Sequence, residues 1–205
     1  MSQRVCPWWL GYFLASPIRR LMHDPRATVS PWVSEGMTVL EPGPGMGFFT
    51  LELARLVGPQ GRIIAVDVQL KMLESLLGRA RRAGLRERIE AREASGKNLG
   101  VEDLESKVDF VLAFAVVHEL PDAAAFFAQA RSALKPGGRM LVAEPRRRVS
   151  ESALAETVAL AESAGLSIED RPSIKGSRSV MFRRGPGANG PPRIPCPPRC
   201  HSGGR

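Results

Sequence analysis

Cysteine is scarce in this sequence. Three residues in 205, Cys6, Cys196 and Cys200, are too few and too unevenly spaced for a disulfide framework. Free thiols fit a reducing compartment, so a cytoplasmic protein is expected. Long apolar runs are missing as well: no stretch of 18 residues is continuously apolar, and no membrane-spanning helix is expected. Val5–Ala15 follows Arg4 with the outline of a secretory signal, but Pro7 interrupts it and Trp8 and Trp9 are bulky for such a segment. Acids are absent from the last 21 residues, which hold three Arg and 11 Pro or Gly. That tail cannot bury enough surface to order itself. Its Cys196, Cys200 and His201 offer three ligands where a structural zinc site wants four, so no metal is expected. The net charge of +8 is therefore partly a property of the tail; residues 1–184 carry +5. The basic balance weakly favours an anionic partner.

What is present is an ordinary globule, 43% hydrophobic and 24% charged, long enough for one domain with a small appendage. Residues 1–36 are a preamble broken by four prolines, with short helices expected at 8–15 and 17–22. Strand and helix signals then alternate. Apolar runs predict strands at Met37–Leu40, Arg62–Val66, Ile89–Arg92, Val108–Ala115 and Arg139–Ala143. Helical spacing predicts helices at Phe48–Val57, Lys71–Ala83, from Pro121-Asp122 to Leu134, and Glu151–Ala164. Lys135-Pro136-Gly137-Gly138 reads as a turn. Two last strands, Leu166–Ile174 and Arg178–Arg183, are joined too briefly for anything but an antiparallel pair. The expected fold is α/β: a doubly wound, seven-stranded, mostly parallel sheet with one antiparallel strand.

Between the first strand and its helix lies Glu41-Pro42-Gly43-Pro44-Gly45-Met46-Gly47. Glycine there permits a sharp turn and direct contact between ligand and backbone. Asp67 ends the second strand, where a carboxylate accepts from the hydroxyls of a ribose. An adenosine-type ligand at this sheet edge is expected. The spacing G-x-G-x-G departs from the dinucleotide pattern G-x-G-x-x-G, which would place glycine or alanine at Phe48. No Gly-Lys-Ser/Thr follows, which excludes a Walker loop.

With VLEPGPGMGFFTLELA, GRIIAVDVQLKML, VDFVLAFAVVHELPD and LKPGGRMLVAEP in this order and spacing, the chain resembles the class I S-adenosylmethionine-dependent methyltransferases over residues 37–184. The resemblance implies a Rossmann-like methyltransferase fold, S-adenosyl-L-methionine as cofactor, and roles for matching positions. Glu41 would orient the loop and the methionine end. Gly43, Gly45 and Gly47 would lie against the cofactor. Asp67 would take the ribose hydroxyls, and Val68 would pack on the adenine. Where the family often carries an acid for the adenine amino group this chain has Ser95, so that contact falls to Ser95 or to a backbone group of Ser95 or Gly96. Residues 37–184 would be the cofactor-binding domain, 1–36 a helical lid and 185–205 a disordered tail.

Methyl transfer from a sulfonium is an in-line displacement and needs a base only for a protonated acceptor. His118 follows the fourth strand and is the candidate base, with capping or packing of the next helix as the other reading. Trp8 and Trp9 would seal or cover the site. Arg146-Arg147-Arg148 is either a solvated loop or a grip on an anionic acceptor. The expected partner is a small-molecule acceptor, since no further recognition domain lies outside the fold. RNA is an alternative acceptor that a basic face would favour, and it is disfavoured because most Lys and Arg are interspersed with acids. A quinone or lipid acceptor, with membrane-surface contact through Trp8, Trp9, Tyr12 and Phe13, is an alternative. A non-catalytic nucleoside-binding module is another. Oligomeric state is left open.

Overall fold

A computed structural model of the chain describes residues 24–95 and 97–186. The expected helices at 8–15 and 17–22, the aromatic cluster before residue 24, Gly96 and nearly all of the tail lie outside the described residues.

Seven strands form one sheet: β1 Thr38–Pro42, β2 Arg62–Asp67, β3 Ile89–Glu93, β4 Val108–Phe114, β5 Leu134–Pro145, β6 Leu166–Asp170 and β7 Ser177–Arg184. Their spatial order is β3-β2-β1-β4-β5-β7-β6. The β1–β2, β1–β4, β2–β3 and β4–β5 pairs are parallel, while β7 runs antiparallel to both β5 and β6. The sheet is therefore doubly wound and mostly parallel with a single antiparallel strand, as its sequence pattern predicts.

Among the described residues five α-helices flank it: α1 Pro25–Val29, α2 Thr50–Leu56, α3 Leu70–Arg82, α4 Ala123–Ala133 and α5 Glu151–Ser163. Three of the starts carry a side-chain cap. The carboxylate of Asp24 accepts from the Ala27 amide, that of Asp122 from Ala125, and the Ser150 hydroxyl from Ala153. Helix α3 turns Met72, Leu73, Leu76 and Ala80 inward and ends on Arg79, Arg81 and Arg82, whose charges suit the C-terminal pole of the helix.

Strand residues alternate between two cores. On one face Leu40, Ile64, Val111, Val142 and Val180 pack with α4 and α5. On the other Val39, Ile63, Leu112, Leu141 and Met181 pack with α1, α2 and α3. Burial on both faces explains the near-continuous apolar runs of β2 and β4. Val29 and Val33 join the second core, so the described part of the preamble packs there.

Lys135–Gly138 departs from expectation. These residues belong to β5, where Val108 pairs with Leu134 and Phe110 with Arg139. One residue of β4, Asp109, thus opposes four of β5, Lys135–Gly138, and the Pro-Gly-Gly segment bulges without ending the strand. Gly137 takes φ +78° there.

Candidate functional site

Strand order reverses between β1 and β4, and that switch point opens a crevice at the carboxyl ends of the strands. Glu41, Gly43, Gly45, Gly47, Asp67, Val68, Ser95 and His118 all lie on β1–β4 or on the segments leaving their carboxyl ends.

The glycine segment is held from several sides. Gly43 donates its amide to Val66 O at 2.8 Å, Gly47 donates to Pro44 O at 3.0 Å, and Arg79 Nη1 donates to Met46 O at 2.6 Å. All three glycines have positive φ, at +66°, +54° and +85°. A Cβ on Gly43 would meet Val116 Cγ2 at 2.7 Å, and one on Gly47 would collide with Leu76 Cδ1. A Cβ on Gly45 would meet nothing within 4 Å, so the backbone there is bare toward open space.

Acids converge on the same crevice. Glu41 is buried, and burial pushes its carboxyl up to about 7, with the charge of Asp67 adding to the rise. The Thr50 hydroxyl lies close enough to favour the charged form, yet neither Glu41 Oε2 nor Thr50 Oγ1 has a partner of hydrogen-bond geometry. Asp67 accepts from the Gln69 amide at 2.9 Å. Burial raises its carboxyl, amides of Gln69, Gly45 and Val68 draw it down, and the charge of Glu119 raises it again. Glu41, Asp67 and Glu119 therefore share one negative field, which suits a cationic ligand and opposes a diphosphate.

Val68 is 47% exposed and Leu70 52%, an apolar surface beside Asp67. Ser95 is exposed, and its amide and carbonyl are both bonded to Asn98 at 3.0 and 2.9 Å. Of the adenine contacts considered for Ser95, its hydroxyl is the group left over from this bridge.

After β4 the chain turns through Ala115, which holds φ +56° without being glycine. Such a conformation costs on the order of 1 kcal/mol and persists where the surroundings enforce it; here Ala115 donates to Ala143 O at 2.8 Å. The turn delivers His118. Its Nδ1 makes a short hydrogen bond to Glu144 Oε2, while Glu144 Oε1 accepts from the Val117 amide at 2.8 Å. Glu144 is only 1% exposed. Its hydrogen bond and its charge raise the His118 pKa above the ordinary 6.5, against partial burial. Nε2 of His118 lies 3.8 Å from Glu119 Oε1, and Arg148 Nη1 lies 3.7 Å from the same oxygen. His118 thus does not cap α4; Asp122 does. Sequence reasoning missed Glu144. The available signal was a lone carboxylate closing the apolar run Met140–Ala143.

Comparison with known proteins agrees with this fold. The family described as "Methyltransferase domain" matches residues 33–173. The chain is 29% identical over 119 residues to the ubiquinone/menaquinone biosynthesis C-methyltransferase UbiE of Klebsiella pneumoniae, covering 58% of this chain and 47% of that protein. It is 32% identical over 110 residues to an uncharacterised transposon protein of Streptomyces fradiae, covering 54% of this chain and 30% of that protein. The chain thus spans less than half the length of these curated relatives. A methyltransferase structure from Aquifex aeolicus, described as SAM dependent, superposes with a TM-score of 0.78 at 22% identity, covering 88% of this chain and all of that one. At that identity the likeness shows the fold.

Proposed function

We propose that this chain, which belongs to the class I S-adenosylmethionine-dependent methyltransferases, transfers its methyl group to a small-molecule acceptor. It is an enzyme, and its cofactor is S-adenosylmethionine. The carrying observation is that bare glycine backbone, three coupled acids and a carboxylate-held histidine meet at one sheet edge.

The residues present fit the cofactor. The unpartnered buried Glu41 Oε2 and the shared field of Glu41, Asp67 and Glu119 suit a ligand bearing ammonium and sulfonium charge. S-adenosylmethionine supplies a methyl group already activated on sulfur. In the proposed arrangement Gly43, Gly45 and Gly47 let it approach the backbone, and Glu41 faces its methionine end. Asp67 accepts from the ribose hydroxyls. Val68 packs on the adenine, with the Ser95 hydroxyl or a group of Gly96 at its edge. His118 takes the acceptor's proton on Nε2, while Glu144 holds Nδ1 and stabilises the imidazolium that forms. We place the reaction in the cytoplasm. Among the described residues no helix is long and apolar enough to cross a membrane.

Two measurements test the binding half. Calorimetry should show micromolar affinity for S-adenosylhomocysteine, about −8 kcal/mol; tight NAD binding with no heat from the sulfonium cofactor would overturn the reading. Asp67→Ala removes a charged acceptor, a loss of about 1.5–3 kcal/mol. Binding should weaken roughly 10- to 100-fold with the fold intact, and an unchanged dissociation constant would place the ribose elsewhere. The acceptor half is tested by methyl release with soluble small molecules, quinone in vesicles and RNA offered in parallel. The resemblance to UbiE, 29% identical over 58% of this chain, makes the quinone arm the second reading.

A further inference from the structure

Next to the His118–Glu144 pair lies a second concavity that none of the roles above uses. Its volume is about 430 Å³, and its walls carry the guanidinium groups of Arg146, Arg171 and Arg178, the hydroxyls of Ser173 and Ser177, and Leu154 of α5. Glu151 is the one acid lining it. Six arginines elsewhere in the fold have a carboxylate partner: Arg55, Arg62, Arg92, Arg139, Arg148 and Arg183 each lie within 4.0 Å of one. Among the described residues none of the three cavity arginines does. Arg146 donates through Nε to Ser177 O at 2.9 Å, and Arg178 through Nη1 to Arg146 O at 3.5 Å. Both contacts go to neutral carbonyls and leave the guanidinium charge unneutralised. Arg178 Nε is buried without a hydrogen-bond partner. An unpaired buried donor on a charged group is costly unless a ligand meets it.

Placement connects this cavity to the chemistry. Glu144 and Arg178 are directly paired across β5 and β7. Directly paired residues project to the same face, with Cα atoms about 4.5–5.5 Å apart. That is the face covered by α4 and α5, where Leu154 packs. Arg146 stands two residues beyond Glu144, or about 7 Å along an extended chain. A small molecule can therefore present one end to His118 and leave the other among the arginines. The opposite end of that molecule must be negative, because three guanidiniums face one carboxylate.

We propose that this cavity binds the anionic group of the methyl acceptor, a carboxylate or a phosphate ester, through Arg146, Arg171 and Arg178. Planar guanidinium forks match both oxyanions in bidentate geometry. The proposal rests on the methyltransferase reading with a small acceptor, and it adds the acceptor's charge.

The test uses the full chain saturated with S-adenosylhomocysteine. Inorganic phosphate and succinate serve as probes in calorimetry. One of them should bind saturably at a single site, and the one that binds more tightly names the anionic group. Arg171→Glu reverses an exposed charge that makes no side-chain hydrogen bond or ion pair among the described residues, so it keeps the fold; Arg178→Gln keeps a donor and loses the charge. Each should weaken the oxyanion at least 10-fold while S-adenosylhomocysteine binding stays within twofold. Absence of saturable binding of either probe, with S-adenosylhomocysteine still bound, overturns the proposal and leaves the methyltransferase reading standing. Oxyanion binding unmoved by both variants overturns it too. Oxyanion binding in a chain that takes up no S-adenosylhomocysteine refutes the assignment to a methyl acceptor and the cofactor site together.

Discussion

Replacing His118 by alanine is expected to lower turnover by ~10²–10⁴-fold, the range that a positioned general base supplies. Binding of S-adenosylhomocysteine should stay within twofold, because the loop and Asp67 are untouched. The expectation comes from the way the imidazole is held. Glu144 is buried, bonds Nδ1 with one oxygen and takes the Val117 amide with the other, so ring and turn are fixed together. Nε2 lies on the opposite side of the ring, 3.8 Å from Glu119 Oε1. The pH profile separates this role from simple packing. A base must be neutral to accept a proton, and Glu144 raises the His118 pKa above 6.5. The kcat/KM should therefore rise with pH through a midpoint above that value. Glu144→Gln keeps an acceptor for the Val117 amide but removes the charge that favours imidazolium. Its midpoint should fall toward the ordinary histidine value while kcat drops, since the imidazolium formed in the reaction is less stabilised. If the pair were only structural, Glu144→Gln would lower the melting temperature and leave the midpoint where it was.

The strands were the most legible part of this fold, because a sheet covered on both faces writes itself as short apolar runs such as Ile63–Val66 and Phe110–Ala113. The antiparallel pairing of β6 and β7 followed from their brief connection. Strand ends were less legible. Glu41 and Pro42 continue β1 beyond Leu40 because parallel pairing with Ala65 and Val66 extends that far. The Pro-Gly-Gly stretch of β5 reads as a turn from composition, yet the chain on both sides of it keeps pairing with β4. At the site, the glycine segment and Asp67 are local patterns and could be read. The His118–Glu144 bond joins residues 26 apart in sequence, across two adjacent strands, and no local pattern encodes it. The same holds for Arg178, which meets Glu144 only through antiparallel register. Ser95 shows the opposite failure. Its place after β3 was legible, but the bridge to Asn98 that occupies its backbone was not.

Glu41 should make the ligand-free protein less stable as pH rises. Burial penalises the charge and Asp67 repels it, so its folded carboxyl is pushed up to about 7 from an ordinary 4.5. Between those values the folded chain holds a proton that the unfolded chain has released. Stability is then full below about 4.5 and is lost as pH rises through 7. A gap of this size corresponds to about 3 kcal/mol in full, of which about 2.5 kcal/mol is lost between pH 5 and pH 8, and for a domain of this length that is a fall in melting temperature of roughly 5–10 °C. Raised values at Asp67 and His118 act with the same sign, so the comparison must be made against Glu41→Gln. That variant stays neutral at every pH and should lose most of the slope, melting higher than the parent at pH 8. Cofactor binding turns the same group to use. A cationic ligand beside Glu41 favours the carboxylate, so its affinity should rise from pH 6 to pH 8 with release of a proton, visible as a buffer-dependent heat. Glu41→Gln should bind more weakly at pH 8 and show neither trend. Equal pH slopes of stability and of affinity in the parent and in Glu41→Gln would show that the buried carboxylate is not the titrating group, and that the methionine end of the cofactor lies away from it.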